Sequence, residues 1–325
     1  MPEFELHLPR TAAEAVSLRS SLPESLYVAG GTDLLPNLKH ELHRPKHLVS
    51  LAQVEGLDGI SVRADGTLRI GARTTLHALA TDERLRVEVP GLSLAASLVA
   101  GPQHRRMGTL GGNVMLDTRC LFYNQSAHWR ASLGYCLKAE GTWCHVIGSA
   151  KGCVAAQSSD TVPVLVALDA RIEALAPDGT AREVPLRGLW TKDGRVDRNH
   201  TVPAESLVTA ILVPPRRSGH RSTYRKVRSR AAVDYPQLGV AVVAAFDGGT
   251  CSALDVVLGA MLPHPKAVDG LDFAVGTPLD DAVIERVAEA AFKQARPQSQ
   301  IHGEPSWRRH MARVETRRAL EAVRG

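Results

Sequence analysis

Four of the chain's five cysteines, Cys120, Cys136, Cys144 and Cys153, fall within one window of 34 residues. The window also carries Asn124, Gln125, Ser126, His128 and Arg130, so it is too polar for a core helix or strand. A polar loop of this length must be held by something other than its own burial. The spacing C-x15-C-x7-C-x8-C supplies four thiolates, the usual complement for a [4Fe–4S] cluster or for structural zinc. Zinc sites favour close pairs such as C-x2-C, and none occurs in the window, whereas ligands scattered along a loop suit a cube of iron and sulfide. Both metals stay open on spacing alone. Phe122, Tyr123, Trp129, Tyr135 and Trp143 are five of the chain's fourteen aromatics and can shield such a centre. His128 and His145 are read as hydrogen-bonding or surface residues, and Cys251, in an apolar strand pattern, as core.

Redox compartment bears on this reading. The N-terminus, MPEFELHLPR, has no apolar signal-like stretch, and no apolar run approaches the roughly 20 residues that span a bilayer. A cytoplasmic protein is expected, with no membrane partner. A structural disulfide is then not expected, and Asn124 and Asn199 are not expected to be glycosylated. The charge, 39 basic minus 34 acidic residues or +5, is spread along the chain and does not indicate a nucleic-acid partner. The basic run from Arg308 to Arg318 is read as a solvated helix face or a subunit contact.

Hydrophobic patterning predicts an α+β protein. LYVAG, HLVSL and TLRIGA read as strands, TTLHALATDERL as one helix, and GLSLAASLVA as a helix ending at Gly101-Pro102. TVPVLVALDARIEAL reads as a buried helix or turn followed by a strand. Pro214-Pro215 and the polar residues after them predict a domain boundary, giving domains at 1–215 and 216–325. Beyond it, TYRKVRS, GVAVVAAFD and CSALDVVLGAM predict an antiparallel sheet, with two helices packed on it.

Two glycine turns suggest a ligand. VAGGTDLLPNLK joins a strand to a helix through Gly30-Gly31, and TLGGN repeats the device at 109–113. Glycine permits positive φ and close approach to backbone amides, and a helix N-terminus beyond it offers free donors to phosphate. Thr32 and Asp33 are good capping residues. Neither turn is G-x-G-x-x-G nor a P-loop. Two such turns can embrace one pyrophosphate, as in FAD.

The order AGGTDLLPNLK, TLGGN, SSDTVPVLVALDA resembles the FAD-binding medium subunit of the molybdenum hydroxylase (xanthine oxidase) family over about residues 8–320. That resemblance implies a PCMH-type N-terminal FAD-binding domain of two α/β subdomains and a C-terminal domain of antiparallel sheet with helices. It implies FAD contacts from Val28, Ala29, Gly30, Gly31, Thr32, Asp33, Leu34 and Leu35, and from Thr109, Leu110, Gly111, Gly112 and Asn113. Val99, Asp160 and Lys226 match further positions near the cofactor. Arg106-Met107 precede the second turn, where the family commonly has smaller residues.

Here 46 residues separate Asn113 from Asp160, and this insertion, at about 114–155, carries the clustered cysteines. DTRCLFYNQSAHWR, GYCLK and CHVI resemble one branch, the flavin subunits of 4-hydroxybenzoyl-CoA reductases. The branch resemblance implies that Cys120, Cys136, Cys144 and Cys153 hold a [4Fe–4S] cluster. It also implies an electron-transfer role, from ferredoxin through the cluster and FAD to two [2Fe–2S] clusters on a small subunit and a molybdopterin cofactor on a large subunit, in an (αβγ)2 heterohexamer. No catalytic residue is expected on this chain. Arg105, Arg106, Arg119, Arg130, Lys138 and Lys151 form a candidate attraction for an acidic ferredoxin. The alternatives are a flavin subunit serving another aromatic or heterocyclic substrate, and a zinc-stabilised nucleotide-binding protein without a redox role.

Overall fold

The computed structural model describes residues 1–192, 194, 198–299 and 303–324. Its first sheet is small and parallel, built from β1 (Glu5–His7), β2 (Ser25–Val28) and β3 (His47–Ser50) in the order β1-β3-β2. Helix α1 (Ala12–Ser21) connects β1 to β2, and its N-cap Thr11 accepts the Glu14 amide at 3.1 Å. That contact is one that Ser and Thr make well because their hydroxyl reaches an orphan helix donor. Helix α2 (Leu34–Lys39) leaves the end of β2.

The second sheet is antiparallel. It contains β4 (Ile60–Val62), β5 (Leu68–Gly71), β6 (Arg171–Leu175), β7 (Ala181–Pro185) and β8 (Leu207–Val213), ordered β4-β5-β8-β6-β7. A long excursion between β5 and β6 holds α3 (Leu76–Thr81), α4 (Glu83–Glu88), α5 (Pro90–Ser97), α6 (Pro102–Met107), α7 (Leu110–Val114), α8 (Ala127–Ser132) and α9 (Thr161–Ala167). The expected single helix over TTLHALATDERL is two. Asp82 turns extended and its carboxylate caps the Leu85 amide at 2.9 Å, so it ends α3 and starts α4. Similarly α5 stops at Ser97, before Gly101, and Ala100 takes a positive φ of 41°. This frees the carbonyls of Leu98 and Val99 for cations, described below.

The third sheet is the predicted antiparallel one: β9 (Arg221–Val227), β10 (Leu238–Asp247), β11 (Thr250–Gly259) and β12 (Lys266–Ala267), in the order β12-β11-β10-β9. Strand β10 reads LGVAVVAAFD without alternation because both its faces are covered. Helices α10 (Asp281–Gln294) and α11 (Pro305–Arg324) cover one face; α5 and α9 pack on it from the N-terminal half. Every residue of α9 is buried, as a helix apolar all round must be. Cys251 is fully buried in β11, as its pattern predicts.

The basic run of α11 differs from its expected character. Arg308 is 0% exposed and donates to the carbonyls of Gln237 (2.9 and 2.7 Å), Ala260 (2.7 Å) and Gln298 (2.7 Å). It is therefore not part of a solvated face but a tie between α11 and the ends of β10 and β11. Burial pushes its guanidinium down to about 10, so it remains charged at neutral pH. Truncation leaves three inward carbonyls without their donor, each a cost of about 1–3 kcal/mol. Arg308→Ala is expected to lower stability by at least about 3 kcal/mol in urea unfolding followed by circular dichroism; a loss under about 1 kcal/mol contradicts this role.

Candidate functional site

The two glycine turns meet because Gly30 has no side chain. A Cβ built there would sit 1.7 Å from the Met107 carbonyl oxygen and 2.5 Å from its carbon. The backbone of the first turn thus lies directly on the backbone that enters the second. The Met107 side chain points outward, 58% exposed, so its bulk stays clear of the junction. Gly31 adopts a φ of +70°, which glycine alone takes without strain. Gly111 lies equally close to Ala72, whose Cβ and carbonyl would both be 2.8 Å from an added Cβ.

The turns differ in what their amides do. Gly30, Gly31, Thr32 and Asp33 donate to no protein acceptor among the described residues. In the second turn the Leu110 amide donates to Thr74 O at 2.9 Å, Gly111 to Ala72 O at 2.7 Å, Gly112 to Thr109 Oγ1 at 3.2 Å and Asn113 to Thr109 O at 2.9 Å. The first turn is the free donor cradle, and the second is a braced wall. Asp33 does not cap α2 with its side chain; it accepts from Asn37 Nδ2 at 3.0 Å and pairs with Arg119.

Beside these turns lies a cavity of about 840 Å3. Val28, Ala29, Gly30, Gly31, Thr32, Asp33 and Leu34 line it, with Val99, Thr109, Gly111, Gly112, Asn113 and Asp160. Leu35, Leu110 and Lys226 do not: Leu35 is exposed, Leu110 is wholly buried, and Lys226 stands behind Asp160. Further residues contribute: Arg119 and Asn124, marked in sequence for other roles, and, not singled out there, Arg73, Asp117 and Arg230 with Val233–Pro236 of the C-terminal half. Sequence offers little signal for that last segment, because it reaches the cavity only through packing, with Val233 against Gly101.

Asp160 joins the halves. It is 3% exposed; its Oδ1 accepts from the Tyr224 hydroxyl at 2.8 Å and its Oδ2 from Lys226 Nζ at 2.7 Å. Lys226 also donates to the Leu98 carbonyl, freed by the early end of α5, at 2.9 Å. Burial pushes the Asp160 carboxyl above its ordinary range, and the Lys226 ammonium is the chief influence pulling it back. Burial likewise holds the Tyr224 phenol far above its ordinary range, so it stays a neutral donor. On the other side of Asp160, Ser159 Oγ and Thr161 Oγ1 donate to Asn113 Oδ1 at 2.6 and 2.7 Å. The second glycine turn, the S-D-T motif and β9 are thereby one hydrogen-bonded unit.

All four clustered thiols line one separate small cavity of about 20 Å3, with Phe122, Tyr123, Leu137 and Val154. Cys136 and Cys144 are buried; Cys120 and Cys153 are half-buried, and burial pushes both of their thiols up. Backbone amides oppose that shift: those of Tyr123 and Phe122 at Cys120, and that of Ala155 at Cys153. The Ile147 amide lies 3.5 Å from Cys144 Sγ. Amides aimed at sulfur stabilise thiolate and tune a bound metal centre. No three of the sulfurs lie within 4.8 Å of one another. His145 bonds the Tyr135 carbonyl at 2.8 Å, and His128 is exposed.

Cations in the insert face inward. Arg130, 6% exposed, donates to the carbonyls of His40 (3.1 Å), Glu41 (2.9 Å) and Gln125. Lys138 pairs with Asp117 at 2.6 Å and lies over the Tyr123 ring. Arg119 binds Asp33 and Asn37, and Arg105 binds the Val99 carbonyl at 2.8 Å. Arg106 and Lys151 are the members of the expected basic surface left exposed. Asp117, Arg119 and Asn124 line the large cavity while Cys120, Phe122 and Tyr123 line the small one, so one segment is a wall of both.

The family model described as FAD binding domain in molybdopterin dehydrogenase matches residues 2–216, and that described as CO dehydrogenase flavoprotein C-terminal domain matches 222–323. The chain is 33% identical over 279 residues to the aldehyde oxidoreductase FAD-binding subunit PaoB of Escherichia coli (strain K12), covering 84% of this chain and 86% of that one. It is 30% identical over 324 residues to the carbon monoxide dehydrogenase medium chain of Afipia carboxidovorans, covering 99% and 96%. A chain of a crystal structure of Cu,Mo-CO dehydrogenase superposes with a TM-score of 0.81 at 28% identity, covering 100% of this chain and 99% of that one.

The free amides, the glycine that only a bare backbone tolerates and the adjoining cavity fit the diphosphate of FAD. Gly30→Ala is expected to push the two turns apart and weaken FAD binding at least about tenfold, since overpacking costs about 1–3 kcal/mol. Flavin absorbance of the purified variant, with circular dichroism confirming the fold, checks this; full flavin content contradicts it.

Proposed function

This chain belongs to the FAD-binding family of the molybdopterin dehydrogenases, and from that premise we propose that it is the flavin and iron–sulfur subunit of a molybdenum enzyme that reductively dehydroxylates 4-hydroxybenzoyl-CoA to benzoyl-CoA. The observation that carries the proposal is the shared wall: Asp117 to Asn124 serves the flavin cavity and the thiol cavity at once. An insertion that brings four thiols beside a flavin site suits electron transfer between the two. The segments around Cys120, Cys136 and Cys144 supply the substrate assignment through their resemblance to the reductase branch.

Bound FAD and a [4Fe–4S] cluster supply electron transfer, here from a ferredoxin towards [2Fe–2S] clusters and a molybdenum site on a small and a large partner subunit, in an (αβγ)2 assembly. The chain's own residues position and insulate. Gly30 to Asp33 present amides to the diphosphate, Asp160 and Lys226 fix the cavity wall, and Val99 lies on that wall. Cys120, Cys136, Cys144 and Cys153 are the proposed cluster ligands. Residues 114–155 form the added unit, and the domains divide at 215/216.

Zinc is the competing occupant of the thiols. A cavity of about 20 Å3 favours a single ion. Tetrahedral zinc, with Zn–S of about 2.3 Å, needs sulfurs roughly 3.8 Å apart; that no three of the thiols lie within 4.8 Å of one another favours the larger cluster. Another aromatic or heterocyclic substrate is the competing activity, because the substrate pocket lies on a partner.

Cys136→Ser is expected to remove the broad iron–sulfur absorbance while leaving flavin bound, as the thiols and the amide cradle are separate residues. Loss of both cofactors from a folded variant contradicts that separation. The intact complex is expected to convert 4-hydroxybenzoyl-CoA with a reduced ferredoxin-like donor; no conversion with molybdenum cofactor fully loaded removes the substrate assignment.

A further inference from the structure

We propose that Glu5, His7 and His47 form a binding site for a divalent transition-metal ion of the zinc class on the N-terminal sheet. This site is remote in sequence from the cysteines and does not rest on the flavin reading. Strand alternation puts residues 5 and 7 on one face of β1, and the parallel register sets Glu5 opposite His47 on β3. The two imidazoles consequently meet: His7 Nε2 and His47 Nδ1 are 3.2 Å apart. Glu5 Oε2 lies 3.5 Å from His47 Nδ1 and 3.9 Å from His7 Nε2.

These separations are those of ligands around one small cation. With metal–nitrogen bonds of about 2.0–2.1 Å, tetrahedral geometry sets neighbouring ligand atoms roughly 3.3 Å apart. The imidazole pair already meets this spacing. Closing the third edge asks about half an ångström of the Glu5 carboxylate, which is 67% exposed and free to turn. The histidine side chains are only 17% and 21% exposed, so the sheet holds their rings in place. Two neutral imidazoles and a carboxylate suit zinc, nickel or copper rather than magnesium or calcium, which take oxygen ligands. Water completes the shell on the exposed side.

The consequence is mechanical. β1 is an edge strand of three residues, and a shared ion would fasten it to β3, the central strand, whose other neighbour β2 runs into the free-amide turn. Ligands 40 residues apart make the ion a cross-link of the native state alone, so it stabilises by binding that state.

The test is calorimetric titration of Zn2+ into the FAD-loaded full chain, with any histidine tag removed and the cysteines cluster-loaded or alkylated. One binding step is expected, accompanied by a rise in melting temperature. His7→Gln and His47→Gln each weaken that step at least tenfold, and so does Glu5→Gln, which alters an exposed side chain and leaves the fold intact. His128→Gln, at an exposed histidine elsewhere, leaves it unchanged. No step in the wild-type chain, or one isotherm common to wild type and all three ligand variants, overturns the proposal: the imidazoles then share only a hydrogen bond.

Discussion

A carboxylate at 3% exposure cannot remain in a protein interior without matched donors, and Asp160 takes both of its donors from the C-terminal half. The large cavity beside the glycine turns depends on that arrangement. Lys226 and Tyr224 sit on β9, so the buried Asp160 finds its donors only when the third sheet is docked on α9. Docking in turn fixes Ser159 and Thr161, whose hydroxyls hold Asn113, whose helix braces the second glycine turn. The second hydrogen bond of Lys226, to Leu98, pins the chain just before Val99 on the cavity wall. One buried ion pair therefore sets the position of residues drawn from three distant parts of the chain.

The insertion obeys the same logic with opposite polarity. Its thiols must sit near one another on a polar loop, and the loop is held by cations spent internally. Arg130 satisfies carbonyls at the C-terminal end of α2, Arg119 reaches the first glycine turn, and Lys138 closes on Asp117. Charges that in sequence resemble a docking surface are structural clips, leaving Arg106 and Lys151 exposed. Attraction of an acidic partner to the insert has correspondingly few charges to draw on.

Much of this was legible in sequence because it is local. Periodicity places β9, β10 and β11 of the third sheet and α10, though not the two-residue β12, and Gly30-Gly31 and Gly111-Gly112 mark the turns. What escaped depends on distant partners. The amides of the second turn look as free as those of the first until Ala72 and Thr74 are seen to accept them. Arg308 belongs to a basic helical run, and only the fold shows the carbonyls of Gln237 and Ala260 converging on it. Asp82 interrupts an otherwise helical pattern because its side chain competes as a cap. The edge strands β4 and β7 are short and largely solvent-facing, so they carry little hydrophobic signal. Glu5, His7 and His47 become neighbours only through parallel register.

The proposed electron path requires this chain to hold an iron–sulfur centre and a flavin on two sides of the segment from Asp117 to Asn124. Quantifying flavin, iron, zinc and acid-labile sulfide in the anaerobically purified complex tests it most directly, after subtraction of the partner clusters measured on the isolated small subunit. FAD is expected together with about four iron and four sulfide per flavin assigned to this chain. Zinc in their place, or flavin with no iron beyond that of the small subunit, would contradict it.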